Sequence, residues 1–235
     1  MKKPLLLLLF ILFVFVYQAS AQTSIGAKAG INWNSFRGNK AFDVIPGLSV
    51  GAFARYPVLP FLTAKAELLY FQQGANLVDY QVLPGDLFRN DAEVVFHQVQ
   101  LPIIAEFGLP ALADEALQPK LSIGGFYAYN IYARERYTNV AKVPGYEKIY
   151  YNGHDNVTSQ YKRSQYGLIG ALGADLKILN MPVYLEFRYT HNLTNITKSG
   201  MTTRYNLKET FKEWGDDNLR LGTVSFNIAV TLQYL

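Results

Sequence analysis

From residue 25 the chain alternates, with Ile25, Ala27, Ala29, Ile31 and Trp33 on one side and Gly26, Lys28, Gly30, Asn32 and Asn34 on the other. Residues two apart share a face of an extended strand, so the pattern predicts a strand with one apolar face and one polar or small face. The closing segment is sharper still: Val224, Phe226, Ile228, Val230, Leu232 and Tyr234 are interleaved with Thr223, Ser225, Asn227, Ala229, Thr231 and Gln233, of which only Ala229 is out of class. Six further strands are predicted at 48–56, 62–73, 96–107, 121–134, 165–176 and 183–191. Each is near the length a tilted strand needs to cross a bilayer. Their apolar faces contain no charge. Lys28, Arg55, Lys65, Glu67, Glu106, Arg134, Asp175, Glu186 and Arg188 all fall on the other face, among Gly, Ser and Thr.

The predicted connections alternate in length. They are long at 37–47, 74–95, 135–164 and 192–220, and short at 57–61, 108–119 and 177–182. Long extracellular loops and short periplasmic turns are the asymmetry of outer-membrane barrels. With a periplasmic N-terminus, Trp33, Tyr70, Tyr129, Tyr166 and Tyr189 lie at outer strand ends and Tyr56, Phe107 and Tyr234 at inner ends, so the outward-facing rings form two girdles. The expected fold is therefore all-β: an eight-stranded antiparallel up-and-down transmembrane β-barrel. A soluble barrel or sandwich with the apolar faces turned inward is the competing arrangement. Loop asymmetry and ring position favour the membrane, and so does the N-terminus.

There Lys2 and Lys3 precede an apolar run at 5–17, too short to span a bilayer, and Ala19-Ser20-Ala21 precedes Gln22. A charged start, a short apolar core and an A-x-A site make a secretory leader. The expected division is a signal peptide at 1–21, cleaved between Ala21 and Gln22, and one barrel domain at 22–235. The expected location is the cell outer membrane. No later stretch is apolar enough for a spanning helix.

The chain has 22 Lys+Arg against 18 Asp+Glu, and loss of Lys2 and Lys3 with the leader leaves an excess of only +2. That is too weak for a nucleic-acid partner. Cysteine is absent, which removes disulfides, thiolate metal ligands and a thiol nucleophile. If the polar face lines a lumen just wide enough for side chains, its charges must pair across it, because an unpaired buried charge is costly. Phe53, Phe126 and Ile169 share the inward parity and add bulk, so a closed plug is expected. His97, His154 and His191 lack the spacing of a metal pair, and neither a metal nor a cofactor is expected.

Phe187 to Asn195, reading FRYTHNLTN, resembles the active strand of PagL-type lipid A deacylases. The resemblance would make His191 a catalytic base. Leu193 stands where the serine belongs, and Thr194 is three residues from His191, off the face that residues two apart share. The nucleophile is therefore missing, and no catalytic residue is expected outside the hydrolase alternative with His191 and Thr194.

Longer stretches resemble the outer-membrane β-barrel family of Bacteroidetes, the porin family or PorT-like barrels. These are Gly26-Ala27-Lys28-Ala29-Gly30-Ile31-Asn32, Glu67-Leu68-Leu69-Tyr70-Phe71-Gln72-Gln73-Gly74, Val99-Gln100-Leu101-Pro102-Ile103-Ile104, and Glu186-Phe187-Arg188-Tyr189 with Leu193-Thr194-Asn195-Ile196. The resemblance implies fold and location but no single activity, since roles in such a family differ. The expectation is a non-enzymatic structural or interaction barrel with a surface-binding or a secretion- and assembly-associated role, monomeric, set in outer-membrane lipid and lipopolysaccharide, whose loops meet surface proteins or glycans. The tyrosine-rich stretch around Tyr146, Tyr150 and Tyr151 offers contact area there. A lipid hydrolase and a small diffusion porin are the alternatives.

Overall fold

The computed structural model describes residues 23–37, 42–83, 86–113, 117–142, 149–178, 181–196 and 220–234. The expected leader, with its Ala21–Gln22 cleavage site, and most of the loop at 192–220 lie outside them. The strands are β1 (Ser24–Arg37), β2 (Phe42–Asp43), β3 (Ile45–Leu59), β4 (Leu62–Leu83), β5 (Asp86–Gly108), β6 (Leu117–Lys142), β7 (Ile149–Asn156), β8 (Ser164–Ile178), β9 (Met181–Asn192) and β10 (Arg220–Tyr234). A 3-10 turn, Pro110–Leu112, follows β5.

Eight of these strands close into an antiparallel barrel in the order β1, β3, β4, β5, β6, β8, β9, β10, with β10 returning to β1. A rung followed from Gly108 through Lys120, Gly173, Glu186, Asn227, Gly30, Ser49 and Phe71 returns to β5 at Gln98, ten residues away. A stagger of that size in eight strands requires a tilt of about 40°. Closure gives every barrel strand a hydrogen-bonded neighbour on both sides, as a membrane demands.

The alternation read from the sequence becomes an inside and an outside. Ile31, Leu48, Val50, Leu68, Ile103, Ile123, Leu168, Leu172, Phe187 and Ile228 are exposed on the outer surface. Lys28, Lys65, Glu67, Glu106, Glu186 and Arg188 are buried within. Glycines on the inner face make room for the bulk. Gly26 faces Phe53 across the rung and Gly167 faces Phe126, and a Cβ on either glycine would come within 2.6 Å of the ring.

Two expectations need correction. Residues 74–83, 86–95 and 135–142, read as long loops, are strand. Beyond the membrane β4 and β5 continue as a paired ladder to Leu83 and Asp86, and β6 continues with β7 alongside. Pairing satisfies backbone groups that a loop would leave to water. The second correction is at the outer end of β6. His97 pairs with Tyr132 but Gln98 pairs with Asn130, so Ile131 is an extra residue, a β-bulge. It inverts the parity beyond it: Ala133 is buried, and Arg134 shares the outward face with Tyr132. Arg134 therefore does not belong to the lumen.

Candidate functional site

The lumen is built in three storeys. Lowest is a continuous charge network. At the periplasmic end Asp175 holds Lys120 at 2.5 Å and Arg55 at 3.0 Å. Arg55 passes to Glu106 at 2.9 Å, and Glu106 to Lys65 at 2.6 Å. Above it, Glu67 and Glu186 are shared by three cations. Lys28 reaches both, at 3.0 and 2.7 Å, and Lys65 reaches both, at 3.3 and 3.0 Å. Arg188 donates to both oxygens of Glu67 at 2.8 and 2.9 Å and contacts Glu186 at 2.7 Å. The fork of the guanidinium matches one carboxylate in bidentate fashion, while the lysines act as point charges between the two. Arg55 also lies 4.2 Å from the centre of the Tyr184 ring, and Lys65 4.8 Å.

Eight of the nine residues predicted for the lumen charges are thus brought together, and the ninth, Arg134, is turned out by the bulge. Lys120 takes its place as the fifth cation. It has the inward parity of Ser122 and Phe126, but it precedes the predicted start of its strand by one residue, so the charge pattern did not include it.

The middle storey is neutral. Gln98 and Gln165 both donate to Asn130 Oδ1, at 2.7 and 3.1 Å, and Asn192 donates to Gln165 at 2.5 Å. Across the lumen Gln73 donates to Thr223 Oγ1, which donates to Asn34. Above them lies an apolar lid that the strand pattern did not reveal: Ala75, Val94, Phe96, Ala133, Leu221, and, from the segments beyond the strands, Val157, Tyr161 and Ile196. Tyr161 meets Phe96 edge to face at 4.8 Å. Lys162 N donates to Ile196 O and Val157 N to Ala133 O, which ties the lid down. Where β6 and β7 rise beyond it, Glu135 pairs with Asp155 across the ladder. Burial and the Asp155 charge hold the Glu135 carboxyl above the usual range, and burial with Glu135 pushes the Tyr161 phenol up.

Of the girdle residues, Trp33, Tyr70, Tyr129 and Tyr166 are exposed at outer strand ends, and Tyr189 is half-buried there. Tyr56 and Phe107 are half-buried at inner ends, and the side chain of Tyr234 lies outside the described residues. At the outer rim His97 faces outward with Tyr70 Oη 2.5 Å from its Nδ1. The hydrolase pair is separated by partners: both hydrogen bonds of the Thr194 hydroxyl go to the Tyr166 backbone, at 2.9 and 3.3 Å, and His191 Nδ1 faces Tyr189 Oη at 3.5 Å. His154 is exposed on β7. Among the described residues no three His, Asp or Glu side chains are grouped to hold a metal ion.

The family described as outer membrane protein beta-barrel domain matches residues 17–198. No curated protein matches the chain. Solved structures with a similar architecture include Neisserial surface protein A (NspA), at 12% identity, covering 89% of this chain and 99% of that one, TM-score 0.40. Ail, the attachment invasion locus protein of Yersinia pestis, is 8% identical over 90% and 99% of the two chains, TM-score 0.39. The outer membrane protein OprG from Pseudomonas aeruginosa is 11% identical over 91% and 95%, TM-score 0.46.

Proposed function

Since the chain belongs to the outer membrane protein beta-barrel domain family and resides in the cell outer membrane, we propose that it is a non-enzymatic interaction barrel, exported by its 1–21 leader and similar in its strand motifs to the PorT-like group. Its barrel serves as a closed mount, and the sheet that rises from it binds extended segments of partner proteins at the cell surface.

The observation that supports this reading is the edge of β7. Above the membrane β4, β5, β6 and β7 form a sheet, and β7 pairs only with β6 among the described residues. Its other edge presents a row of backbone donors and acceptors, a template for adding a strand. Exposed edges are usually blunted by proline or lysine, and Ile149-Tyr150-Tyr151-Asn152-Gly153-His154-Asp155-Asn156 has neither.

The test is a proline scan through 150–153, combined with a photo-crosslinking residue placed in β7 on intact cells. N–H groups point alternately to β6 and away from it. Proline should abolish crosslinking to protein at every second position, where it removes an outward donor, while the barrel stays folded and heat-modifiable. Crosslinking to protein that no proline position alters would refute strand addition, and so would crosslinking to lipid alone.

A further inference from the structure

The bulge at Ile131 places a cluster on the lipid-facing side of the outer rim for which a plugged barrel has no use. Tyr132 and His97 are directly paired, with ring centroids 5.7 Å apart, and Tyr70 lies on the other side of His97 at 6.0 Å. Gln72 Nε2 donates to Tyr70 Oη at 3.1 Å, and that oxygen lies 2.5 Å from His97 Nδ1, which anchors the ring by its Nδ1 side. In the tautomer where Nδ1 accepts from Tyr70, and in the protonated imidazolium, Nε2 carries a proton that can be donated outward.

Arg134 is one outward position above Tyr132, the diagonal neighbour of His97, and makes no ion pair among the described residues. Close by, exposed Arg163 lies over the Tyr129 ring at 6.0 Å, also without an ion pair. Among the described residues the acidic group on this part of the outward face is Glu93, one rung higher and 3.9 Å from Arg136. Two guanidiniums with no ion pair among the described residues, an imidazole and a tyrosine hydroxyl thus stand at girdle height, where lipid headgroups lie. A guanidinium beside neutral donors suits a phosphate, which takes bidentate and single hydrogen bonds together.

Lower on the same strands the apolar surface is dented. Ala64, Ile103, Ala105, Ile123 and Leu168 line a depression of about 740 Å³. From His97 to Ile103 β5 rises about 20 Å, at about 3.3 Å per residue, which is about 15 Å of depth at the barrel's tilt. That is half of a hydrocarbon core about 30 Å thick, the depth of one leaflet.

We propose that Arg134, His97 and Tyr132 bind the phosphate of an outer-leaflet phosphorylated glycolipid, with an acyl chain descending β5 into the depression at Ile103. The site is independent of the strand edge above it, so either can fail alone.

The test is native mass spectrometry of the mature full-length protein in detergent, offered diphosphoryl lipid A, its dephosphorylated form, or phosphatidylglycerol. Diphosphoryl lipid A should be retained, and each of the other two should bind at least about tenfold more weakly. Arg134→Gln and His97→Gln should each weaken retention by about tenfold, the scale of one charge-assisted contact. Arg136→Gln, whose side chain already has a partner, should leave it unchanged. Equal binding of phosphatidylglycerol would overturn the glycolipid assignment. Undiminished retention by a heat-modifiable Arg134→Gln/His97→Gln double variant would overturn the site, as would an equal loss in Arg136→Gln.

Discussion

Arg188 is fully buried and binds Glu67 and Glu186 at once. Removing it leaves two carboxylates with Lys28 and Lys65 in a space closed to water, and breaking a buried pair typically costs about 3 to 5 kcal/mol. Leu185 is three residues away in sequence but on the lipid side, where an acyl chain fills the gap a truncation leaves. Arg188→Ala should therefore destabilise the barrel by about 3 kcal/mol and Leu185→Ala by clearly less, measured by urea unfolding in lipid vesicles. Equal costs would mean that the network contributes no more than a methyl contact. The same logic separates Lys120 from its neighbours: its Asp175 partner is also held by Arg55, so Lys120→Met should cost less than Arg188→Ala.

At the scale of the element, the bulge in β6 decides which residues face lipid. Deleting Ile131 should close the ladder and leave the faces as they are, because Tyr132 then follows the inward Asn130 directly, with Ala133 inward and position 134 outward. Labelling of Arg134→Cys by a membrane-impermeant maleimide should therefore be fast both with Ile131 and without it. Slow labelling in the intact strand that turns fast on deletion would mean that the strand has no bulge. Just beyond, Glu135 and Asp155 oppose each other. Because its folded value is raised, Glu135 favours the folded hairpin fully below the usual carboxylate range, and that contribution is lost as pH rises through the elevated value. Glu135→Gln should slow proteolysis of the β6–β7 hairpin at neutral pH and flatten its pH dependence. These places also mark where the sequence was legible. Within the membrane, lipid outside and charge inside force strict alternation, and the eight strands with their charged rungs could be read directly. Above it neither face needs to stay apolar, so the extension of β4 and β5 was signalled only by the turn dipeptide Pro84-Gly85. The bulge had no signal in composition, since Tyr132 and Arg134 alternate as plausibly inward as outward. The lid draws Val157, Tyr161 and Ile196 from irregular segments, where no period exists to find them.

For the molecule as a whole, the storeys of the lumen determine whether it conducts. An ion entering from outside meets first the apolar lid around Phe96 and Tyr161, where shedding its hydration is not compensated. It meets next a layer of mutually hydrogen-bonded amides, and then five cations and four anions already paired at 2.5 to 3.3 Å, whose excess of a single positive charge is a weak field to draw ions on. The lid and the charges are barriers in series, with between them polar amides that water can enter once both are gone, so removing either leaves the other. In planar bilayers the unaltered protein should show no steady current above leak. Phe96→Ala with Tyr161→Ala should also stay closed, because the charge network lies beneath. Replacing Lys28, Lys65, Glu67, Glu186 and Arg188 by serine should stay closed as well, because the lid lies above. Only the two sets combined should conduct steadily, provided the combined variant remains heat-modifiable. A stable, ion-selective current through the unaltered barrel would make it a channel rather than a mount, and a current after lid removal alone would place the seal at the mouth instead of in the charges.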